Sequence, residues 1–364
     1  MHGFYRVAAA VNKTIVANPE ANAIEVLTLL SQAEQQNVTI SVFPELTLTG
    51  YTAGDLFLNQ TLIQKQYDAL ASILIASEEI STVGILGFAL LQHNRLYNTA
   101  VIFQKGKILG IVPKSYLPNK KEFYEKRQFN SGIGIQNQSI DLFNQKIPFG
   151  TDLLFKSKDE ILFGVEICED LWTITPPSNQ MVANGANLIF NLSASNDLVS
   201  KAEYREELVR TQSARGMCAY VYASSGVGES TTDTVYGGHA IISEYGSTLK
   251  QNERFNRQSH LTTADVDIQR LNWLRLNESG YCDTVTSPFR SILLEAMPTI
   301  KKLIRFIPAT PFVPSKFQEK TSRCHEIINI QAHALIKRMT HTNIKKAIIG
   351  ISGGLDSTLA LLST

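Results

Sequence analysis

The sequence predicts a mixed α/β sandwich, and the order of elements in its first third supports that prediction. Apolar runs typical of buried strands first alternate with stretches of helical spacing. Three strands then follow one another without a helix between them, whereas a purely alternating domain would separate them by helices. The predicted elements are a strand at 4–11, a helix at 19–36, a strand at 38–43, a helix at about 61–79, and strands at 82–91, 98–103 and 108–112.

The ends of these elements are marked by proline, glycine and charged residues. Pro44-Glu45 ends the second strand, and Pro113-Lys114 ends the strand at 108–112. Lys105-Gly106-Lys107 is typical of a hairpin turn between paired strands. The polar stretch at 115–138 predicts a solvated loop or a short helix.

The next strand, at 161–167, ends abruptly at Cys168-Glu169-Asp170. Its continuous apolar character predicts a strand buried on both faces. Acidic residues suit the first turn of a helix, so we expect Cys168 on a strand-to-helix elbow. The further predicted elements are helices at 178–184 and 202–215 and strands at 187–192, 219–224 and 239–243.

The last hundred residues have a weaker pattern, with five prolines between residues 288 and 314. We predict a domain at 1–267, an arm and linker at 268–320, and the start of a second domain at 321–364. A helix at 321–340 and a strand at 345–351 would begin that second domain. Only seven residues follow Ser357, too few to close a domain, so we expect the sequence to be a piece of a longer enzyme.

Composition limits the classes of function that the protein can have and indicates its cellular compartment. The chain has 364 residues with 34 basic and 33 acidic side chains, and its net charge of +1 does not indicate a nucleic-acid or membrane surface. The four cysteines are far apart, which predicts neither a zinc site nor a disulfide framework and favours a reduced, cytoplasmic compartment. The seven histidines show no metal-ligand spacing, so we expect no metal site.

Three predicted strands end in groups able to catalyse acyl transfer: Glu45, Lys114 and Cys168. Strand ends of a layered α/β domain gather at one edge, where sites form. Glu45 would act as the general base, Lys114 would stabilise the oxyanion with the Glu169 N–H, and Cys168 would attack a carbonyl carbon. An elbow beside a helix N-terminus is expected to lower the thiol pKa. The alternative for Cys168 is an ordinary core cysteine.

At these residues the sequence resembles the nitrilase, or carbon–nitrogen hydrolase, superfamily. The three motifs are Phe-Pro-Glu-Leu-Thr-Leu-Thr-Gly-Tyr at 43–51, Pro-Lys-Ser-Tyr-Leu-Pro at 113–118, and Val-Glu-Ile-Cys-Glu-Asp-Leu-Trp at 165–172. The resemblance covers about residues 1–265 and implies a four-layer αββα sandwich, a Glu-Lys-Cys triad, and assembly into a homo-oligomer. It also implies a second glutamate that orders the lysine and the substrate. Glu122 matches this position best by spacing, with Glu125 as the alternative.

The glutamine-using branch of that superfamily implies where the substrate is held. Its Asn-Leu-Ser-Ala-Ser stretch, here residues 191–195, and a nearby lysine contribute to glutamine binding, which gives Ser195 and Lys201. Tyr51 and Glu169 are further candidates. Lys120 occupies a position that is often aromatic in that branch, so the resemblance leaves a side-chain role for it open.

The last motif, Ser352-Gly353-Gly354-Leu-Asp356-Ser357, lies between the predicted strand and a helix start. Such a loop presents backbone N–H groups to phosphate. It resembles the pyrophosphate loop of the ATP pyrophosphatases, whose Ser and Gly residues bind the phosphates of ATP, with Mg²⁺ in the complete domain.

Together the two modules resemble the glutamine-dependent NAD synthetases. That resemblance implies that ammonia released from glutamine amidates adenylated nicotinic acid adenine dinucleotide in an ATP-dependent step. Two alternatives stay open: a hydrolase of another amide, carbamoyl or nitrile substrate, and a non-catalytic nitrilase-like module. The phosphate loop argues against the first, and the complete set of Glu45, Lys114 and Cys168 argues against the second.

Overall fold

A computed structural model describes residues 3–314 and 317–364, which form two compact units divided between Arg305 and Phe306. The first unit contains two large sheets, and the second contains two helices.

The first sheet has eight strands in the order β14-β1-β2-β3-β4-β5-β7-β6. Its strands are β1 (Phe4–Val11), β2 (Ile40–Val42), β3 (Val83–Gln92), β4 (Arg95–Gln104), β5 (Lys107–Pro113), β6 (Gln138–Leu142), β7 (Gln145–Phe149) and β14 (His260–Asp267). β1, β2 and β3 run parallel, and β3, β4 and β5 form the predicted antiparallel succession.

The second sheet has seven strands in the order β13-β12-β11-β10-β9-β8-β15. They are β8 (Leu153–Lys156), β9 (Leu162–Ile167), β10 (Leu188–Ser193), β11 (Ala219–Ser224), β12 (Ala240–Glu244), β13 (Ser247–Gln251) and β15 (Arg290–Leu293). Its centre, β9-β10-β11, is parallel, so the ends of these strands lie at one edge.

The two sheets pack face to face, and helices cover the outer face of each. One core cluster lies between the sheets and includes Val7 and Ile85 from the first and Phe163 and Phe190 from the second. The helices α1 (Pro19–Gln35) and α2 (Gln60–Ala76) pack on the first sheet, and α3 (Pro177–Ala183) and α4 (Lys201–Arg215) on the second. The result is the predicted four-layer αββα sandwich.

This layering explains why the strand signals were continuous rather than alternating. A strand covered by the other sheet on one face and by helices on the other is apolar on both. β9 follows this rule, since five of its six residues are buried. The strands missed by the sequence analysis, by contrast, lie mostly at or near sheet edges, where half-exposed polar residues weaken the pattern, as in β6, β7, β13 and β15.

Part of the predicted arm contains regular structure and belongs to the first unit. The helix α5 (Ile268–Leu276) buries Ile268 and Leu271 in the core between the sheets. The short helix α6 (Ser279–Cys282) follows, and β15 pairs with β8. An ion pair fixes the end of this segment, because the partly exposed Arg305 donates to both oxygens of the buried Glu244 at 2.6 and 2.7 Å.

The second unit contains α7 (Phe317–Thr342) and α8 (Leu355–Ser363). The predicted strand at 345–351 is wrong, because these residues have no regular structure. A strand requires a hydrogen-bonded neighbour, and no strand lies in the described part of this unit. The helix predicted at 321–340 is present and slightly longer.

Candidate active site

The three predicted catalytic residues all follow the carboxyl ends of strands. Glu45 lies just after β2, Lys114 directly after β5, and Cys168 directly after β9. The two sheets meet at this edge, where the backbone N–H of Glu45 donates to the carbonyl of Ser193 at the end of β10 at 3.3 Å. The sandwich therefore brings the three strand ends into one buried site.

Glu45 is buried, and its carboxylate is held from three directions. One oxygen, Oε1, accepts from Asn98 Nδ2 and from Lys114 Nζ, each at 2.6 Å, while Oε2 accepts from the Ala194 N–H at 2.9 Å. Gly87 on β3 makes room for this loop, because a Cβ there would lie 2.2 Å from the backbone nitrogen of Leu46. The carboxylate is thus fixed at the centre of the site.

Lys114 lies between two carboxylates, with its side chain fully buried. Its Nζ is 2.6 Å from Glu45 Oε1 and 2.6 Å from Glu125 Oε1. Burial alone would lower the pKa of Lys114, but the charges of Glu125 and Glu45 outweigh it and hold the pKa well above its usual value. The lysine is therefore a permanent cation, suited to stabilising negative charge and unsuited to acting as a base.

Cys168 stands on the predicted elbow. Its backbone is left-handed, with φ of +47°, and the turn that follows, Cys168–Trp172, is a 3-10 helix. Asp170 ties the elbow in place, because its carboxylate accepts from the Ile167 N–H at 2.9 Å and from the Tyr116 N–H at 2.8 Å. The second of these bonds connects the elbow to the segment that follows Lys114.

The expected lowering of the thiol pKa is wrong. Burial, reinforced by the charge of Glu45, raises the pKa of Cys168 far above its usual value, and the opposing effect of Lys114 is smaller. The sequence argument counted the helix terminus and the lysine but not the removal of the thiol from water. Burial therefore favours the protonated thiol, and Cys168 would need a base to take its proton if it acts as a nucleophile.

The structure places Glu125 rather than Glu122 beside the lysine. Glu125 Oε1 contacts Lys114 Nζ and accepts from the Tyr51 hydroxyl at 2.8 Å, whereas Glu122 accepts from Asn196 Nδ2 at 2.6 Å. The expectation that Glu122 contacts Lys114 is corrected, because Glu125 makes this contact. Spacing within the irregular stretch at 115–138 did not fix which glutamate turns inward.

A cavity of about 160 Å³ opens beside this glutamate pair. Tyr51, Glu122, Glu125, Ser230 and Tyr236 are among the side chains that line it. The cavity connects the candidate substrate residue Tyr51 to both glutamates, and through Glu125 to Lys114. Its lining is mixed, with aromatic side chains such as Phe57 and Phe129 beside the two glutamates.

Asn196 connects Lys201 to Glu122 through hydrogen bonds, and Ser195 directly precedes Asn196 in the chain. Lys201 Nζ donates to Asn196 Oδ1 and lies 5.6 Å from the ring centres of Phe123 and Trp172. Burial lowers the pKa of Lys201. The Ser195 hydroxyl accepts from the fully buried Arg205 at 3.1 Å.

Glu169 and Lys120 form an ion pair at the surface, with 2.7 Å between Oε1 and Nζ. The side chain of Lys120 is 65% exposed and that of Glu169 20% exposed. An exposed pair of this kind contributes about 0–1 kcal/mol to stability. Both side chains remain available to rearrange around a ligand.

The sequence model of the family described as carbon-nitrogen hydrolase matches residues 6–275, which is most of the chain. The chain belongs to the carbon–nitrogen hydrolase family.

The similarity to curated proteins extends past residue 275. A protein of Mycobacterium leprae named glutamine-dependent NAD(+) synthetase is 40% identical over 370 residues, covering 99% of this chain and 54% of the relative. A protein of the same name from Aquifex aeolicus is 25% identical over 347 residues, covering 94% of this chain and 55% of the relative. The chain thus spans about half the length of the curated relatives it matches, and the predicted resemblance is confirmed.

Solved structures also match the fold of this chain. A glutamine-dependent NAD(+) synthetase from Cytophaga hutchinsonii matches with a TM-score of 0.63 and 28% identity, over 72% of this chain and 43% of that one. The corresponding enzyme from Acinetobacter baumannii, in complex with adenosine diphosphate, matches with a TM-score of 0.60 and 25% identity, over 74% and 46%. A carbon–nitrogen hydrolase from Helicobacter pylori, at 17% identity and a TM-score of 0.60 over 78% and 96%, supports the fold.

The predicted phosphate loop lies after residue 275, outside the part of the chain that the family model matches. Ser352, Gly353, Gly354 and Asp356 are exposed, and Ser357 is half-buried at the start of α8. The Gly354 N–H donates to the Ser352 hydroxyl at 3.4 Å, and the Ser357 hydroxyl donates to the Gly354 carbonyl at 3.0 Å. The loop and the helix are present as predicted, without the strand.

Three site residues were missed by sequence reasoning: Asn98, Asp170 and Asn196. Asn98 and Asp170 hold Glu45 and the elbow, and Asn196 connects Glu122 to Lys201. The signal for Asn98 was present, because it is a polar residue inside the apolar run of β4. Buried polar groups need partners, so such a residue indicates a polar site nearby.

Among residues 3–314 and 317–364, no three or more His, Cys, Asp or Glu side chains cluster in a way that could hold a metal ion. In the same parts of the chain, none of the helices combines the length and apolarity needed to cross a bilayer.

Proposed function

We propose that this chain is the glutaminase part of a glutamine-dependent NAD synthetase, which releases ammonia from the side-chain amide of glutamine at Cys168. The observation that carries the proposal is the buried Lys114, positioned between Glu45 and Glu125 at the edge where Cys168 ends β9. The 40% identity to proteins of that name over 99% of the chain supports it.

The reaction begins with proton transfer from the Cys168 thiol to Glu45. The thiolate sulfur then bonds to the amide carbon, and the negative charge that develops on the amide oxygen is stabilised by Lys114 and the Glu169 N–H. Glu45 returns the proton to the departing nitrogen, so ammonia leaves and a thioester remains. Water, deprotonated by Glu45, hydrolyses the thioester to glutamate and the free thiol.

The resting geometry fits this sequence of proton transfers. The pKa of Cys168 is raised by burial, so the thiolate forms only as the proton passes to Glu45. The charge of Lys114 is maintained by two carboxylates and stays available for the oxyanion. Glu125 orders Lys114 in this arrangement, through its direct contact with Nζ.

The α-carboxylate and α-ammonium groups of glutamine require a donor and an acceptor at the far end of the site. Lys201 supplies a cation, and Glu122, bridged to it by Asn196, supplies a carboxylate. Tyr51 lines the adjoining cavity, and Glu169 and Lys120 stand at the surface. Ser195 lies next to Asn196 in the same loop and contributes to glutamine binding there.

The released ammonia would amidate adenylated nicotinic acid adenine dinucleotide in a step that uses ATP. The loop of Ser352, Gly353, Gly354, Asp356 and Ser357 would hold phosphate groups through backbone N–H groups and hydroxyls. Mg²⁺ is usually bound by one or two carboxylates together with substrate phosphates, which the single carboxylate of Asp356 fits. A cytoplasmic location is consistent with four cysteines that are all free, and a homo-oligomer is implied by the family resemblance.

A second candidate is hydrolysis of another amide, carbamoyl or nitrile compound by the same triad. The structural match to a carbon–nitrogen hydrolase over 96% of that protein shows that this fold also occurs without a second domain. The phosphate loop after residue 350 favours the glutamine-dependent reaction.

The test is a substrate panel measured by ammonia release from the natural full-length protein. The panel contains glutamine, asparagine, a carbamoyl amino acid and a simple nitrile. We expect glutamine to be preferred by at least about tenfold in kcat/KM, because only glutamine satisfies both ends of the site. Preference for a carbamoyl compound or a nitrile would replace this proposal by the second candidate.

A further inference from the structure

The buried side chains behind Cys168 form a continuous polar chain that the reaction described above does not use. It connects the Cys168 N–H, Asn191, Tyr220, Glu166 and the first turn of α3. The residues Asn191, Tyr220 and Glu166 are at most 1% exposed, and Cys168 is 6% exposed.

We propose that Asn191 is a positioning residue that holds Cys168 in its reactive conformation, and that Tyr220 and Glu166 fix the orientation of the Asn191 amide. This inference rests on the proposed role of Cys168 as the nucleophile.

The need for such support comes from the backbone of Cys168. Its φ of +47° is left-handed, which costs a residue with a Cβ about 1–2 kcal/mol and persists only where neighbours enforce it. Up to Ile167, β9 pairs by backbone register with β10, opposite Leu192. At Cys168 the partner changes, because its N–H donates to the side-chain Oδ1 of Asn191 at 3.2 Å.

The Asn191 side chain sits where it can replace the lost backbone partner. Its Oδ1 accepts from the Cys168 N–H and from the Ser193 hydroxyl at 2.7 Å, while Nδ2 donates to the Tyr220 hydroxyl at 3.1 Å. Every polar atom of the amide therefore has a partner. The amide would lose these bonds if it turned over, since Nδ2 would then face another donor at Cys168.

Glu166 determines the direction of the whole chain of hydrogen bonds. Burial raises the pKa of Glu166, and hydrogen bonds from Tyr220 and Ser178 oppose that rise and favour the carboxylate. As a carboxylate, Glu166 only accepts, so the Tyr220 hydroxyl donates to Oε1. The oxygen of that hydroxyl is left to accept from Asn191 Nδ2, which points Oδ1 toward Cys168. The other Glu166 oxygen accepts from the Ser178 N–H at 2.8 Å, which anchors the carboxylate on α3.

The Cys168 N–H does not stabilise the oxyanion, because it is directed into the protein toward Asn191. That role falls to Lys114 and the Glu169 N–H. The chain behind the elbow thus orients the sulfur without contacting the substrate.

The test uses two variants, Asn191→Ala and Tyr220→Phe, with Tyr67→Phe as the matched control. Tyr67 also loses a hydroxyl that accepts from one backbone group, the Leu91 N–H at 3.1 Å, and donates to another, the Leu91 carbonyl, but it lies on α2 outside the site. The first readout is the rate at which iodoacetamide labels Cys168, measured by peptide mass in the natural full-length protein. Cys282 and Cys324 are exposed and serve as internal references.

We expect Cys168 labelling to slow by about tenfold in Tyr220→Phe and more in Asn191→Ala, while labelling of Cys282 and Cys324 stays unchanged. For glutamine, kcat should fall by a similar factor and KM should change less than about twofold. Tyr67→Phe should lower Tm without altering labelling or kcat. Because labelling does not involve glutamine, a wrong substrate would leave this result intact.

The double variant Asn191→Ala/Tyr220→Phe decides whether the two residues act through one path. We expect it to be no slower than Asn191→Ala alone, because Tyr220 acts only through the amide. Additive losses in the double variant would overturn the proposal. If Asn191→Ala does not fold, unchanged labelling and kcat in Tyr220→Phe, with only a Tm loss like that of Tyr67→Phe, would overturn it equally.

Discussion

Lys114 is the residue on which the charges of the site depend. Its ammonium lies 2.6 Å from each of two buried carboxylates, so it neutralises part of their charge while keeping its own. Removing a partner from a buried ion pair is strongly destabilising, by about 3–5 kcal/mol, because a charge is left unpaired. In the proposed reaction, Lys114 therefore contributes both to the stability of the fold and to stabilisation of the oxyanion.

Lys114→Ala is expected to lower kcat for glutamine hydrolysis by about 10²-fold or more, because the developing oxyanion loses its cation. The measurement is steady-state ammonia release, with circular dichroism to verify folding. Since the change also removes the partner of Glu45 and Glu125, Lys114→Ala/Glu125→Gln serves as a control with less unpaired charge. Retention of full kcat in the folded variant would remove Lys114 from the reaction.

Glu125 and Glu122 offer a matched pair, because they lie three positions apart and contact different partners. Glu125→Gln should lower kcat by about tenfold or more by weakening the hold on Lys114. Glu122→Gln should mainly raise KM, since its partners are Asn196 and, through it, Lys201. Kinetics that assign the kcat loss to Glu122 would restore the choice made from sequence spacing.

The pH dependence should identify the same residue. Burial raises the pKa of Glu125 to about 7, opposed by Lys114 and reinforced by Glu45. Above that pH the carboxylate is ionised and accepts from Lys114, and below it the proton weakens this bond. We therefore expect kcat to fall as pH drops through about 7, and this acid limb to be absent in Glu125→Gln. An unchanged acid limb in the variant would assign the titration to another group.

At the level of elements, the strand ends could be predicted from sequence and the loops could not. Apolar runs correctly placed Glu45, Lys114 and Cys168 at strand ends, because continuous burial fixes β2, β5 and β9. The choice between Glu122 and Glu125 depended on the path of a loop, which no periodicity constrains. The thiol pKa depended on burial, which spacing does not reveal.

The loop that follows β10 carries a further prediction. Ser195→Ala should raise KM for glutamine more than it lowers kcat, because its contact lies away from the reacting carbonyl. The structure adds a cause, since the variant also removes the acceptor for the buried Arg205 and loosens the loop that holds Asn196. Michaelis constants for glutamine test this, and an unchanged KM with a collapsed kcat would place Ser195 in the chemistry.

At the scale of the whole molecule, the first unit and the second differ in what supports them. The sandwich has cores between the sheets and beneath the helices, whereas no residue of α7 or α8 is buried. The sandwich could be predicted from sequence because its strands bury one another within the chain. The prediction of a strand at 345–351 is wrong because no strand in the described residues is available to pair with this segment.

This difference leads to a prediction for residues 1–364 alone. We expect them to hydrolyse glutamine weakly, to bind ATP poorly and to make no NAD from nicotinic acid adenine dinucleotide, ATP and glutamine. The phosphate loop is almost entirely exposed, so ordering it around a ligand costs conformational entropy that few contacts offset. Calorimetry with ATP and a separate assay of NAD test this, and micromolar binding or NAD formation would contradict it.

The most direct test of the account is ammonia release from glutamine by the natural full-length protein and its Cys168→Ala variant, measured side by side. We expect the variant to release no ammonia above the uncatalysed rate while keeping its circular dichroism spectrum and Tm near those of the parent. The change removes only a sulfur atom at the elbow, so the fold should survive it. Near-normal ammonia release by the folded variant would contradict the assignment of Cys168 as the nucleophile.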